Sequence, residues 1–521
     1  MCRQFDAVVI GSGLGGLTAG ALYARAGHRV LVLERNQKFG GAATVYQHGA
    51  LAIEASLHEV DGLDAEDPKT AIMRSLGLDR DIPFVDVGEL HEIRTPLLGR
   101  PFVLPHGFDA ALAATKQRFP HQAKGLDEYF EHIRAIRHAV AMISEHQNDY
   151  GWWLTPALAW RLWPLIRDRH TTVNTEFGRL FGDDEAVKLV LASNLAYYTD
   201  DPDTMPFVAF AIPQASYLLG GGHYIIGGSQ VLSDRLVSIV REAGGEAEAG
   251  REVHAILLEG DRVRGVRHRT QNGDDPQEDF APVVFGNAAP TVLAPMLSEQ
   301  VRERFEAPYR DRRPSISLWT ISLGLSRHSR EFGVRCYSTA ILPDWITALK
   351  HLREGGTLLR RDPGARIPPY GFVAYDQIDS GLNHDGPYLV SMAGIDRLEN
   401  WADTDADAKR TRKERWMDRI TADLDSRFPG IAGAIVQREM STAETFHNYL
   451  NTPGGATYGF SPQTRGFMPL AKTAIGGLYL ASAFTGGGGF TGAILGGAWA
   501  ARAAIKDDAR QGIRLFAREQ V

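Results

Sequence analysis

The hydrophobic period of the stretch FDAVVIGSGLGGLTAGALYARAGHRVLVLERNQKFGGAAT, residues 5–44, changes twice. Residues 5–10, with the apolar run 7–10, predict a strand, and helical spacing over 14–26 predicts a helix that Gly27 ends. A second apolar run over 29–34 predicts another strand, closing on Glu34. Farther on, GFDAALAATKQRFP and GLDEYFEHIRAIRHAVAMISEHQ read as helices, each with an Asp near its first turn. Between 60 and 105, Pro and Gly recur without period, so element boundaries there are soft. Residues 220–269 read as a Gly-rich loop, an amphipathic helix, a Gly-Gly turn and two β-runs. SISLWTISLGLS is strand-like and DADAKRTRKERWMDRITADLDSRF helix-like. The block GGLYLASAFTGGGGFTGAILGGAWAARAAI reads as strand, loop, then helix.

A chain of 521 residues is too long for one core, so two or three domains are expected. Net charge is −7 and no basic stripe stands out, which argues against a nucleic-acid partner. Cys2 and Cys336 form no disulfide framework and join no Cys/His cluster, so a reducing cytoplasm is expected and no metal site. The first apolar run is too short for a secretory h-region, and no 18-residue apolar run predicts a transmembrane helix.

Gly11, Gly13 and Gly16 form G-x-G-x-x-G between the first strand and helix. Gly11 permits the tight turn, Gly13 lets a pyrophosphate approach the backbone, and Gly16 lets helix pack on strand. Free N–H groups at the helix start then face the anion. Glu34 stands about 20 residues on, where a ribose-binding acid is required. The motif alone does not separate NAD from FAD.

The residues beyond Glu34 resemble a known family. RNQKFGGAAT is similar to the extended fingerprint of two-dinucleotide-domain flavoproteins, and the C-terminal block resembles their closing FAD segment. GGGHYIIGGSQVLSDRLVSIVREAGGE, VVFGNAAP and NTPGGATYGFSP look like motifs of the phytoene desaturase, carotenoid isomerase and retinol saturase group. The resemblance covers the first ~60 residues, the stretch around 217–290 and roughly the last 80, the βαβ-based cofactor frame. It implies an α/β fold: a discontinuous Rossmann-type FAD-binding domain (1–95, 217–300 and 440–521) and a second α+β substrate domain (96–216 and 301–439). It implies non-covalent FAD held by Gly11, Gly13, Leu14, Gly16, Glu34, Arg35, Gly40, Gly41, Ala42, Val253, Ser482, Gly488, Phe490, Thr491 and Gly492. Many relatives carry an Asp in the closing block; ASAFTGG has only Ser482 and Thr485, leaving backbone N–H groups at Phe490, Thr491 and Gly492 for the ribityl chain.

The family routes ALAIEASLHEVDG past the flavin, which makes His58, with Glu59 beside it, the expected proton handler; the alternative is a loop histidine satisfied by backbone. His223, Tyr224, His447 and Tyr449 are candidate substrate contacts or plain structural residues. No second full fingerprint is present for a pyridine nucleotide, so oxygen, a quinone or no external acceptor remain open. DYGWWLTPALAWRLWPLIRDRH holds Trp152, Trp153, Trp160 and Trp163 among leucines and arginines. Residues 150–167 therefore read either as a shallow peripheral membrane contact or as the wall of an apolar tunnel.

The expected activity is oxidoreduction or isomerisation at carbon–carbon double bonds of a long apolar substrate: a carotenoid, a retinoid, another isoprenoid or an unsaturated fatty acyl chain. The alternatives are amine oxidation and non-catalytic lipid or prenyl binding on the same fold. The oligomeric state is not assigned.

Overall fold

The computed structural model describes residues 3–145, 160, 162–402, 405–463 and 468–519. Its centre is a five-stranded parallel sheet in the order Glu246–Glu248, Val30–Leu33, Ala7–Ile10, Val283–Gly286, Leu478–Leu480. Its inner three strands are buried throughout, as a sheet covered on both faces requires. Alternation sorts their side chains. Ala7, Val9, Val30 and Val32 face helices Leu14–Arg25, Ser229–Glu242 and Gly489–Glu519. Val8, Ile10, Leu31 and Leu33 face a second layer with Val253, Ile256 and Val266 from strands Arg251–Glu259 and Arg262–Thr270. The first strand and helix end within a few residues of their expected bounds, at Ala7–Ile10 and Leu14–Arg25. This is the Rossmann-type frame that the opening pattern predicts, assembled from segments far apart in the chain.

A seven-stranded mixed sheet forms the second body, in the order Ile435–Ser441, Ser317–Leu325, Tyr388–Asp396, Tyr370–Ala374, Ser338–Ile341, His91–Arg94, Phe102–Leu104. Strand His91–Arg94 falls within the 1–95 segment assigned to the cofactor frame, yet pairs in parallel with Ser338–Ile341 of this sheet. Trp319, Ile321 and Leu323 point to a core shared with helix Ala406–Arg427. Leu318, Thr320 and Ser322 alternate with them and line a cavity. A helical cap closes that cavity: Phe108–Arg118, Ala123–Glu145, Val173–Phe181, Glu185–Leu191 and Phe207–Gly220 meet around Tyr129, Phe130, Phe177, Phe207 and Phe210. Among the described residues no helix is long and apolar enough to cross a membrane, and no Cys/His/Asp/Glu group could hold a metal ion.

Candidate functional site

The carboxyl ends of the parallel strands open into a cavity of about 410 Å³. Four of the five strands hand residues just beyond their ends to the wall: Gly11 to Gly15, Glu34 to Asn36, Asn287 with Ala288, and Ser482 to Phe484. A ligand crevice at this edge is what the fold offers generally.

The first helix starts without a side-chain cap at Gly13 and carries no acid in its first turn, so its leading N–H groups remain available to an anion. Gly11 has φ +89° and is held there by the turn. A Cβ on Gly13 would run into the Asn287 amide, and one on Gly16 would lie 2.5 Å from the Gly11 carbonyl oxygen. Gly40 bridges Gly13 in parallel, and a Cβ on Gly41 would sit 3.2 Å from the Gly13 Cα. Glu34 is buried. Its Oε2 accepts from the Ser12 N–H (2.8 Å) and hydroxyl (2.6 Å), and its Oε1 from the Asn36 N–H (2.8 Å). These bonds fix the carboxylate while leaving lone pairs toward the cavity it lines.

The structure brings most of the expected cofactor residues to this wall: Gly11, Gly13, Leu14, Glu34, Arg35, Gly40, Gly41, Ala42, Val253, Ser482 and Phe490. Four others sit behind it. Gly16 packs helix on strand, and Gly492 packs against Gly487. Gly488 packs against the Tyr458 ring, and the Thr491 hydroxyl donates to Asp61 (2.6 Å). Two contributors escape a reading of the sequence. Ser12 anchors Glu34, and Asn287 donates to the Ala481 carbonyl (2.5 Å), tying two strand ends together. Both lie inside segments singled out by their glycines and apolar runs, so a polar residue at a strand's carboxyl end is the available signal.

The same cavity continues to His58 and Glu59. The peptide before them is clamped from several sides. Buried Glu54 accepts from the N–H groups of Ser56 (3.3 Å) and Leu57 (3.1 Å) and from Ser229 at the start of its helix. Tyr375 donates to the Leu57 carbonyl (2.9 Å) and Tyr337 to the His58 carbonyl (2.5 Å). Nδ1 of His58 shares a hydrogen bond with the Tyr197 hydroxyl. Burial, reinforced by His91 nearby, lowers His58 to about 3, so it is neutral. Glu59 goes the other way: burial, then the charge of Asp61, raise it to about 8. Its Oε2 is buried with no hydrogen-bond partner among the described residues. Behind it, Asp61 meets fully buried Lys69 (3.6 Å), which also pairs with Asp67 (2.6 Å).

The four candidate substrate contacts fare differently. His223 and Tyr224 lie on strand Gly222–Ile225 behind the cavity wall, Tyr224 reaching Glu54 (3.3 Å). His447 bonds the Thr452 carbonyl (2.7 Å) and stays off the wall. Tyr449 does line the cavity, but its carbonyl takes Arg35 (2.8 Å) and Asn36 (3.2 Å), which places it at the Glu34 end. Side-chain alternation along short strands and helices decides these positions, and a motif does not reveal it.

The sequence profile described as flavin containing amine oxidoreductase matches residues 14–505. The chain belongs to that family. It is an FAD-dependent oxidoreductase. A chloroplastic prolycopene isomerase of Daucus carota is 24% identical over 500 residues, 92% of this chain and 76% of the relative. An all-trans-retinol 13,14-reductase of Rattus norvegicus is 23% identical over 537 residues, 97% of this chain and 86% of that one. An oxidoreductase structure from Methanosarcina mazei shares the fold with a TM-score of 0.61 at 18% identity, covering 95% of this chain and 99% of that chain. The residues at the strand ends fit FAD: an acid set for a ribose, an uncapped helix start for a pyrophosphate and glycines that leave no room for a Cβ.

Proposed function

We propose that this flavoenzyme acts on a carbon–carbon double bond of a long apolar polyene of the carotenoid or retinoid kind. One observation carries the reading: a single cavity is lined by the Glu34 cradle, by Glu59 and by the apolar side chains of Leu90, Leu104, Tyr129, Phe130 and Leu191. Such a lining suits an apolar molecule beside the cofactor. The activities that name the carrot and rat relatives agree with it.

Bound FAD would supply two-electron chemistry at the double bond, held by Glu34 and by the backbone at Gly11, Gly13, Gly40 and Phe490. The chain supplies the proton. Glu59 is protonated at neutral pH, lines the cavity and has no competing partner among the described residues, so it is the group that donates to or accepts from a substrate carbon. His58, the first expectation for that task, is neutral and engaged by Tyr197, which makes it a positioning group beside the acid. The two tyrosines and Glu54 hold the peptide that carries both.

Peripheral membrane contact suits an insoluble substrate. Trp160 is 78% exposed, Trp163 52% and Ile166 42%, next to Arg167 and Arg169. Trp152 and Trp153 lie outside the described residues. The deciding experiment mixes FAD-loaded protein anaerobically with polyenes and with primary amines, following the flavin spectrum and the products. A polyene altered at one double bond supports the proposal; flavin bleached only by amines overturns it.

A further inference from the structure

We propose that the apolar end of the cavity selects a substrate whose chain carries a neutral oxygen function, a hydroxyl or a carbonyl, and discriminates against both plain hydrocarbons and free carboxylates. The inference rests on the polyene reading and adds an end-group requirement to it. Besides the hydroxyls of Tyr129 and Tyr217, four polar side chains interrupt the apolar wall: His91, Ser193, Asn194 and Gln214. They reach it from three separate elements, namely strand His91–Arg94, the turn after Glu185–Leu191, and helix Phe207–Gly220. Around them stand Leu90, Tyr129, Phe130, Leu191 and Leu218 of the helical cap.

Their internal bonds use only part of their capacity. Gln214 Nε2 donates to Asn194 Oδ1 (2.7 Å). The Asn194 amide nitrogen and the Gln214 amide oxygen then have no side-chain or backbone partner among the described residues, so one amide donor and one amide acceptor are left on a largely apolar wall. The Ser193 hydroxyl donates to the Val190 carbonyl (2.8 Å), so its oxygen accepts from His91 Nε2 (2.6 Å). That pair is closed; the amide pair is open. A methyl-ended chain pressed against it would strip both amide groups of water without replacing the hydrogen bonds.

Charge sets the other limit. Of the described cavity residues, the two carrying a permanent positive charge are Arg35 and Arg251, and both belong to the cofactor end. Arg35 bonds the carbonyls of Asn448 and Tyr449, while Arg251 gives its N–H to the Glu34 carbonyl and its Nε–H to His268. Burial holds His91 neutral, lowering it to about 4. A carboxylate at the apolar end would lose its hydration and meet no cation.

The test uses FAD-loaded enzyme and one conjugated polyene in three forms: alcohol, methyl-ended hydrocarbon and free acid. Binding is read from the perturbed flavin absorbance. The alcohol is expected to bind about tenfold more tightly than either of the others, the scale of one or two net hydrogen bonds. Asn194→Leu should abolish the preference for the alcohol over the hydrocarbon, with FAD retained. Equal binding of alcohol and hydrocarbon by the unaltered enzyme, or tightest binding of the acid, overturns the end-group requirement while leaving the polyene reading intact. If no form perturbs the flavin and an amine does, the polyene reading itself falls. The comparison among ligands needs no variant, so a misfolded Asn194→Leu protein would not shield the proposal.

Discussion

The two ends of the cavity are built by opposite means. At the cofactor end, function resides in backbone: glycines at strand ends, an uncapped helix start, and one acid pinned by Ser12 and Asn36. At the other end it resides in side chains: Tyr197, Tyr337 and Tyr375 arrive from three distant segments to fix a peptide two residues long. Backbone geometry needs short, fixed spacing along the chain, whereas a side-chain constellation needs only that the fold converge. The first end can hold its cofactor whatever substrate is used, and the second can change substrate without disturbing the cofactor.

That separation can be attacked directly. The largest effect is expected from Glu59→Gln, which keeps the shape and removes the proton. Turnover should fall about 10²–10⁴-fold while FAD stays bound; release of the flavin would show that the two ends are not independent. A pH profile sharpens the same point. Glu59 is raised to about 8, so its working, protonated form persists below that pH and is lost above it. Turnover in the unaltered enzyme should decline on the alkaline side, about tenfold per pH unit once chemistry is limiting. The Gln variant should lack that limb.

Next comes Glu34→Arg, the mirror experiment. Replacing a ribose acceptor by a cation costs about 2–4 kcal/mol, roughly 30- to 1000-fold in FAD affinity. The helical cap and second sheet should retain their circular-dichroism signal. Collapse of the whole chain would mean that the cradle is a folding requirement and more than a binding site. Smaller still are Tyr337→Phe and Tyr375→Phe. Each removes one hydrogen bond to the peptide carrying His58, worth about 0.5–1.5 kcal/mol, and should lower turnover by up to about tenfold with flavin content unchanged. Smallest in stability is the double change Trp160→Ser with Trp163→Ser, within about 0.5 kcal/mol for such exposed positions. Its effect should appear only in reduced pelleting with anionic liposomes; unchanged pelleting removes the membrane contact.

The same contrast explains what the sequence could tell. The Gly11–Gly13–Gly16 spacing, Glu34 and the closing glycine block are local patterns, and each strand or helix around them is long enough to show its period. His58 and Glu59 could be pointed to through resemblance, yet their division of labour could not. It depends on burial and on His91 and Asp61, and His91 lies on a strand one of whose two partners is more than 200 residues away. Tyr224 and His447 are attractive by residue type, but strand alternation and a local carbonyl turn them away from the cavity. Asn194 and Gln214 carry no motif, because only the packing of the cap places one amide on the other.

The crossing of the first helix with the last has a consequence for biosynthesis. A Cβ on Gly497 would strike the Gly15 carbonyl, and a Cβ on Gly15 would strike that of Ala481, so three segments close on one another without slack. A ribosome adding about 5–20 residues per second needs roughly 20–90 s to travel from Arg25 to Gly489. Throughout that interval the glycine turn exists without the strand and helix that complete it. The cradle therefore cannot close before residues 478–497 have been made, and until then the parallel sheet lacks its Leu478–Leu480 edge.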